Sequence, residues 1–322
     1  MPRRPSTSTF HRGEIAMQIR AGVRESARRV GGIVGETIPE AFADFLGDVR
    51  VVGIGAQDTQ GRLWATLLTG PAGFVTARGP EDARDRLLVG AVPAAADALA
   101  TRLSSPAWIG APVGVTAMDP ATRRRVRVNG LLARPSADSP GFAIEVREAY
   151  GNCPKYITAR VAPEAGAPRV AATAAESRAS STLDAGQIAL VQRVDMLFLA
   201  TIGPDQRADA SHRGGRPGFV HVRDEAHLVI PDYSGNRMFN SLGNLLVDPR
   251  IGLVFPDFQQ GALLQVSGRA DVNDDPQARA RFPGAERVLD ITIEQVNEVP
   301  GALPAHWRLL GYSPFDPPPA AA

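Results

Sequence analysis

Cysteine, lysine and long apolar runs are scarce in this chain. Cys153 is the only cysteine, which excludes an intrachain disulfide and a cysteine-rich metal site. Lys155 is the only lysine, so arginine carries nearly all the basic charge, a bias that nothing physical requires. No apolar run approaches the ~20 residues of a membrane-spanning helix. The opening "MPRRPSTSTFHRGE" lacks the apolar core of a signal peptide. With 35 basic and 34 acidic residues the net charge is +1 at pH 7, so no basic excess points to nucleic acid. The expectation is a cytoplasmic protein with neither a membrane nor a nucleic acid as partner. At 322 residues it has room for one large or two medium domains.

Alternation of apolar and polar residues dominates what is present. Short β-like runs recur at 49–55, 63–70, 73–78, 86–92, 113–119 and 123–133, separated by turn residues. "GFAIEVREAYGNCPKYI" (141–157) reads as a further strand and a turn. The same texture returns at 195–203, 218–223, 226–232, 250–258, 262–272 and 287–296. Helical periodicity is confined to a few segments. Ile15, Ile19, Val23 and Ala27 form one stripe near the start, "TIPE" (37–40) reads as a capping box before "AFADFLGD", and Asp184 caps "AGQIALVQRV". "NRMFNSLGNLLVD" (236–248) reads as one clear helix. Residues 161–181 are rich in Ala, Pro and Ser and read as a linker.

The two flanks of that linker repeat each other. "GRLWATLLTGPAGFVTAR" (61–78) aligns with "QRADASHRGGRPGFVHVR" (206–223), and "VGVTAMDPATRRRVRVNG" (113–130) with "IGLVFPDFQQGALLQVSG" (251–268), both without gaps. Residues 1–160 are thus expected to hold an N-terminal helix and a degenerate barrel repeat, and 182–322 a second repeat. The copies differ between the aligned blocks. "PDYSGNRMFNSLGNLLVDPR" (231–250) stands where the first copy has the Ala-rich "AVPAAADALATRLSSPAW" (91–108).

That difference carries chemistry. "SGNR" (234–237) at a helix entrance offers free backbone N–H groups, a glycine and a guanidinium fork, a combination suited to a phosphate. In "SHRGGRPGFV" (211–220), Ser211, His212 and Arg213 end a strand beside bare glycine backbone and would face a flat polar ring. Gln265, on a later strand, both donates and accepts. A phosphate site beside a polar-edged slot suits flavin mononucleotide (FMN). Arg125 and Arg127, on an alternating strand of the first copy, are placed to reach the same cleft.

These stretches, with "EAYGNCPKYITAR" between the copies and "FHRGEIAMQIRAGVRE" before them, resemble the FMN-binding split-barrel family of pyridoxamine 5'-phosphate oxidase. The chain is more closely similar to the predicted flavin-nucleotide-binding branch of that family. The resemblance implies a mainly β fold with flanking helices: a duplicated split β-barrel whose two copies form a pseudo-dimer, with a homodimer of the chain left open. It implies FMN between the barrels, the ring on Ser211, His212 and Arg213, the phosphate on Ser234, Gly235, Asn236 and Arg237, and a ring carbonyl on Gln265. The family turn usually has two adjacent cationic residues where this chain has Asn236 and Arg237. The C-terminal "LPAHWRLLGYSPF" does not align with the basic set that binds vitamin phosphate, so vitamin B6 oxidation is not implied.

The expected function is a flavin-dependent oxidoreductase acting on a small molecule or electron donor, with catalytic residues unassigned. The alternatives are a flavin-binding or sensing protein without turnover, or a deazaflavin- or haem-binding barrel. His212, His221 and His227 do not share a strand face, so no metal is expected. "YGNCPKY" reads either as a rigid turn or as a thiol activated by Lys155.

Overall fold

The computed structural model describes residues 9–79, 83–135, 141–163 and 178–317. Strands dominate, following the alternating runs. Helices α1 (Arg12–Arg20), α2 (Arg24–Gly31) and α3 (Glu40–Asp48) precede the first sheet. That sheet contains β1 (Val51–Gln57), β2 (Leu63–Thr69), β3 (Val75–Arg78), β4 (Arg86–Val89), β5 (Pro112–Asp119), β6 (Arg124–Ala133) and β7 (Phe142–Gly151), with α4 (Ala100–Ser104) between β4 and β5. After β8 (Ala159–Val161), β9 (Arg178–Ser180) and α5 (Ala185–Arg193) comes a second sheet. It contains β10 (Met196–Ile202), β11 (Ala208–Gly214), β12 (His221–Asp224), β13 (His227–Asp232), β14 (Arg250–Asp257), β15 (Ala262–Asn273) and β16 (Arg287–Val299). Helices α6 (Asn240–Leu245) and α7 (Pro276–Arg279) interrupt it, and β17 (Arg308–Gly311) pairs with β8. Residues 164–177 of the expected linker lie outside the described residues; its described ends take part in β8 and β9.

The sheets run β2-β1-β5-β6-β7-β4-β3 and β11-β10-β14-β15-β16-β13-β12, the same antiparallel order once each strand is matched to its counterpart, and consistent with a split barrel. Registers agree as well. Val51 faces Thr69 as Met196 faces Gly214, and the bulges fall at the aligned positions Asn129/Gly130 and Ser267/Gly268. The duplication read in the sequence is therefore present in the topology.

Each sheet has its own apolar core, and a third cluster, including Leu67, Met118, Phe198, Val254 and Leu263, lies where β1, β2 and β5 pack on β10, β11 and β14. Glycines let the backbones meet at this seam. A Cβ on Gly114 would lie 2.5 Å from the Ala210 nitrogen, and one on Gly252 would lie 2.5 Å from the Trp64 Cα. Gly114 aligns with Gly252 and Trp64 with Asp209, so each copy presses a glycine on the same strand of the other. The relation is a pseudo-twofold, and it creates two equivalent clefts.

Three helical expectations are corrected. The N-terminal stripe does not form one helix, because Gly22 at φ +67° splits it, and Ile19 is 63% exposed. α1 instead buries Gly13, Glu14, Met17 and Gln18, because it docks on α6: Met17 joins the apolar core of the second sheet with Leu242 and Leu245, while Glu14 meets the polar Asn240. A Cβ on Gly13 would lie 2.0 Å from the Gly243 carbonyl oxygen. Capping boxes are made by His11 with Glu14 and, as expected, at Asp184, with Gln187; α3 begins after Pro39 without a side-chain cap. The helix expected over 236–248 is reduced to α6, entered through Arg237 and Phe239 at positive φ.

Glu14 joins the halves: its carboxylate accepts from the Asn240 side chain (2.6 Å) and from the His11 N–H (2.8 Å). Burial, with Glu148 nearby, raises its pKa from 4.5 to about 7 against the opposing hydrogen bonds and Arg207. A carboxyl raised in the folded state costs nothing below its unfolded pKa and opposes folding increasingly as pH climbs through 4.5 to 7. Glu14→Gln is therefore expected to match the parent in urea unfolding at pH 4.5 and to exceed it at pH 8, by up to about 3 kcal/mol. Equal stabilities at pH 8 would rule out this cost.

Candidate functional site

A cavity of about 490 Å³ opens at one of the two clefts. Its floor is β11, the edge strand of the second sheet, where side chains alternate. Ser211 and Arg213 point to one side and His212 to the other, against Phe198 at a ring separation of 5.4 Å. The first copy contributes a wall through β6. Arg127, buried, donates to both carboxylate oxygens of Asp209 (3.1 and 3.3 Å) and to the Ser211 hydroxyl. Arg125, two residues earlier and on the same face, donates to His212 Nδ1 (2.8 Å). Arg213 donates to the same Ser211 hydroxyl (2.9 Å), so two guanidinium groups converge on one oxygen.

The rim is made by the turn 233–237 and the loop after β7. Tyr156 donates to the Ser234 carbonyl (3.1 Å) and packs on Tyr233, while Asn236 donates to Asn152 (3.0 Å) and caps the Met238 N–H. Arg237 is exposed, its guanidinium 3.5 Å from Ser26 of α2. The turn precedes α6 by three residues, so backbone N–H groups of a long helix do not form the anion site expected from the sequence.

Electrostatics decide what this space accepts. Eight cationic and three acidic side chains line it. All three carboxylates, Asp232, Asp274 and Glu286, converge on Arg287, at 2.7, 3.6 and 3.1 Å. Burial, with Arg127 and Arg213 close by, lowers Arg125 to about 9, so it stays charged at neutral pH. His212 is pushed well below its ordinary value by burial and by the three arginines around it. It is therefore neutral, and because Nδ1 accepts from Arg125, its proton sits on Nε2. His212 Nε2 and the Nε atoms of Arg125, Arg127 and Arg213 find no hydrogen-bond partner among the described residues. A net-cationic cavity with spare buried donors is built for an acceptor-rich anion.

Seven of the eight residues expected from the sequence line this cavity: Ser211, His212, Arg213, Ser234, Gly235, Asn236 and Arg237. Gln265 does not. It lies in the pseudo-twofold cleft, fully buried, because β15 faces β2 of the other copy rather than β11. Its aligned counterpart Arg127 occupies that place in the cavity. Of the C-terminal stretch, His306 is exposed and Trp307 is buried against Phe258, both away from the cavity. Sequence reasoning missed Arg20, Tyr156 and Asp232. Each lies in a stretch that carries the resemblance, Arg20 in "FHRGEIAMQIRAGVRE", Tyr156 in "EAYGNCPKYITAR" and Asp232 in "PDYSGNRMFNSLGNLLVDPR", but no local pattern singles it out.

Residues 186–302 match the family model for pyridoxamine 5'-phosphate oxidase. The chain carries a domain of that family. Among solved structures, a putative pyridoxamine 5'-phosphate oxidase from Lactobacillus delbrueckii is 21% identical, covers 36% of this chain and 94% of its own, and has a TM-score of 0.31. A FAD-binding protein from Mesorhizobium loti is 19% identical over 37% of this chain and 96% of its own (TM-score 0.27). An F420 reductase is 16% identical over 36% and 98% (TM-score 0.27). No curated protein matches the chain. The oxidase-family domain holds β11, the turn and α6, while the cavity wall from β6 lies outside the matched residues. Among the described residues no group of His, Cys, Asp and Glu could hold a metal ion, and no helix is long and apolar enough to cross a membrane.

Proposed function

We propose that the cavity binds FMN and that the chain is a flavin-dependent oxidoreductase acting on a small molecule. The observation that carries this reading is the cationic, donor-lined cavity between the copies, whose volume of about 490 Å³ suits a ligand of this size. Bound FMN would supply hydride or electron transfer. Ser234, Gly235, Asn236 and Arg237 would hold the phosphate, and the β11 segment Ser211–Arg213 the ring's polar edge. Neutral His212 would present its Nε2–H as a fixed donor, and Arg213 would favour negative charge at the ring. Tyr156 and Tyr233 would cover the opening.

The test is the visible spectrum of the purified protein, with the ligand released by heat and weighed. A two-band yellow spectrum and the mass of FMN are expected, at one ligand per chain, because the second cleft is filled by the chain itself. A colourless protein that takes up no added FMN would end this reading, and a deazaflavin or haem would declare itself by its own spectrum. Arg237→Ala is expected to weaken FMN binding about tenfold, the loss of one charge-assisted contact; unchanged affinity would remove Arg237 from the site. One observation favours a second reading, a flavin-binding protein without turnover. His212 is held neutral by burial and three arginines and so cannot cycle a proton near pH 7. Oxidation of a reduced nicotinamide by the loaded protein separates the two.

A further inference from the structure

Tyr156 reaches the cavity mouth from a constrained position. Residues 152–158 belong to no helix or strand, and Tyr156 stands there at φ +64°, a left-handed backbone that an aromatic residue keeps only when its surroundings hold it. Three contacts do so. Its hydroxyl donates to the Ser234 carbonyl (3.1 Å), and its N–H donates to the Ser313 hydroxyl (3.1 Å). Its carbonyl oxygen lies against Gly214, where a Cβ would come within 2.0 Å. Ser234 and Gly214 line the cavity, but Ser313 does not. The Ser313 contact therefore acts on the mouth from outside the site.

Ser313 belongs to a C-terminal strap, residues 308–316, laid over the loop. The strap begins as β17, which pairs with β8 in a two-stranded ribbon separate from both large sheets. It then turns on itself. The Ser313 N–H donates to the Asp316 side chain (3.1 Å) and the Phe315 N–H to the Ser313 hydroxyl (3.3 Å), which fixes that buried hydroxyl toward Tyr156. Arg123 clamps strap to loop, donating to the Ile157 carbonyl (3.0 Å) and to the Gly311 and Tyr312 carbonyls (3.3 and 3.0 Å). Lys155 and Arg216 lie over the Phe315 and Tyr312 rings, each at 5.2 Å. Neither Arg123 nor any strap residue lines the cavity.

A short ribbon with Leu309 and Leu310 exposed opens more easily than a seven-stranded sheet with its own core. The second cleft shows the alternative, permanent closure. Residues 96–98 fill it: Gln265 donates to the buried Asp97 carboxyl (3.1 Å), the Ala98 N–H donates to Gln265 (3.1 Å) and Asn297 donates to the Ala96 carbonyl (2.9 Å). The cavity has instead a cover held from outside by a detachable segment.

We infer that the C-terminal strap gates the cavity: Ser313 and Arg123 are positioning residues that hold Tyr156 across the mouth, and detachment of the strap lets a ligand in or out. The hold of the strap on the loop is independent of what the ligand is; FMN as that ligand rests on the flavin reading.

The full chain carries its own reporter. Cys153, the only cysteine, sits half-buried in the same loop. Its labelling by a maleimide, without flavin, measures how often the loop leaves the strap. Ser313→Ala and Arg123→Met are each expected to label about tenfold faster than the parent, the loss of hydrogen bonding to the loop backbone. Leu264→Ala, in the core of the second sheet, lowers global stability and should label as the parent does. FMN release, followed by flavin fluorescence, should accelerate in Ser313→Ala and Arg123→Met by the same factor as labelling. Parent-like labelling in both variants, or an equal acceleration in Leu264→Ala, would overturn the gate. Faster labelling with unchanged FMN release would overturn it as well, because the ligand would then leave by another route. A chain that takes up no FMN, yet labels faster in both strap variants, would end the flavin reading and support the gate.

Discussion

Asp209→Ala is expected to destabilise the chain by about 3–5 kcal/mol, the cost of leaving a buried cation without its partner. Asp209 lies on β11, buried, and accepts from Arg127 of the first copy, from Ser241 of α6 (2.9 Å) and from Asn129 (3.4 Å). It therefore ties three elements from both copies at the floor of the cavity. Removing it leaves the buried Arg127 charge and the Ser241 hydroxyl unpaired. The pair itself need not be strongly stabilising, because desolvating two charges offsets most of their attraction. Asp209→Leu combined with Arg127→Met should consequently recover most of the loss, while either change alone should not. Urea unfolding of the three variants measures this as a double-mutant cycle. A single Asp209→Ala variant within 1 kcal/mol of the parent would mean that Arg127 is hydrated rather than held by its partner.

Gly114→Val and Gly252→Val should each cost about 3 kcal/mol or more, by an amount similar in the two cases. Both added side chains would begin 2.5 Å from backbone atoms of the opposite copy. Main chain held in a sheet cannot yield as a flexible side-chain tip can, so the seam must open. Opening it exposes the cluster around Phe198 and Leu67 and pulls β6 away from β11, taking Arg125 and Arg127 from the cavity. Gly47 provides the contrast. It lies in α3 with no atom within 4 Å of its would-be Cβ, so Gly47→Ala should be neutral or gain about 0.5–1 kcal/mol from helix propensity. Thermal and urea unfolding of the three variants checks the ranking. A large difference between the two valine variants would show that the clefts are not equivalent.

Local patterning accounts for what could be read in advance. Strand alternation has a two-residue period, and most runs named from the sequence became strands within a few residues. The duplication was legible because aligned blocks preserve glycines where backbones meet and turn. Ser211, His212 and Arg213 end a strand as expected, in β11, and apolar residues are few there because one face of an edge strand serves a cavity instead of a core. The N-terminal stripe misled. Periodicity reports an apolar face, whereas α1 buries Glu14 and Gln18 against α6, more than 200 positions away.

The amino-acid sequence by itself determined the sheets, their repetition, and the concentration of arginine, serine and glycine at 211–215 and 234–237. Only the tertiary structure decided which residues share a cleft. The pseudo-twofold sets β6 against β11 and β15 against β2, so Arg125 and Arg127 enter the cavity while Gln265 joins the closed cleft with Asp97. Side-chain periodicity acts over two to four residues, whereas the choice of cleft depends on how two complete sheets dock across a seam of glycine and apolar contacts.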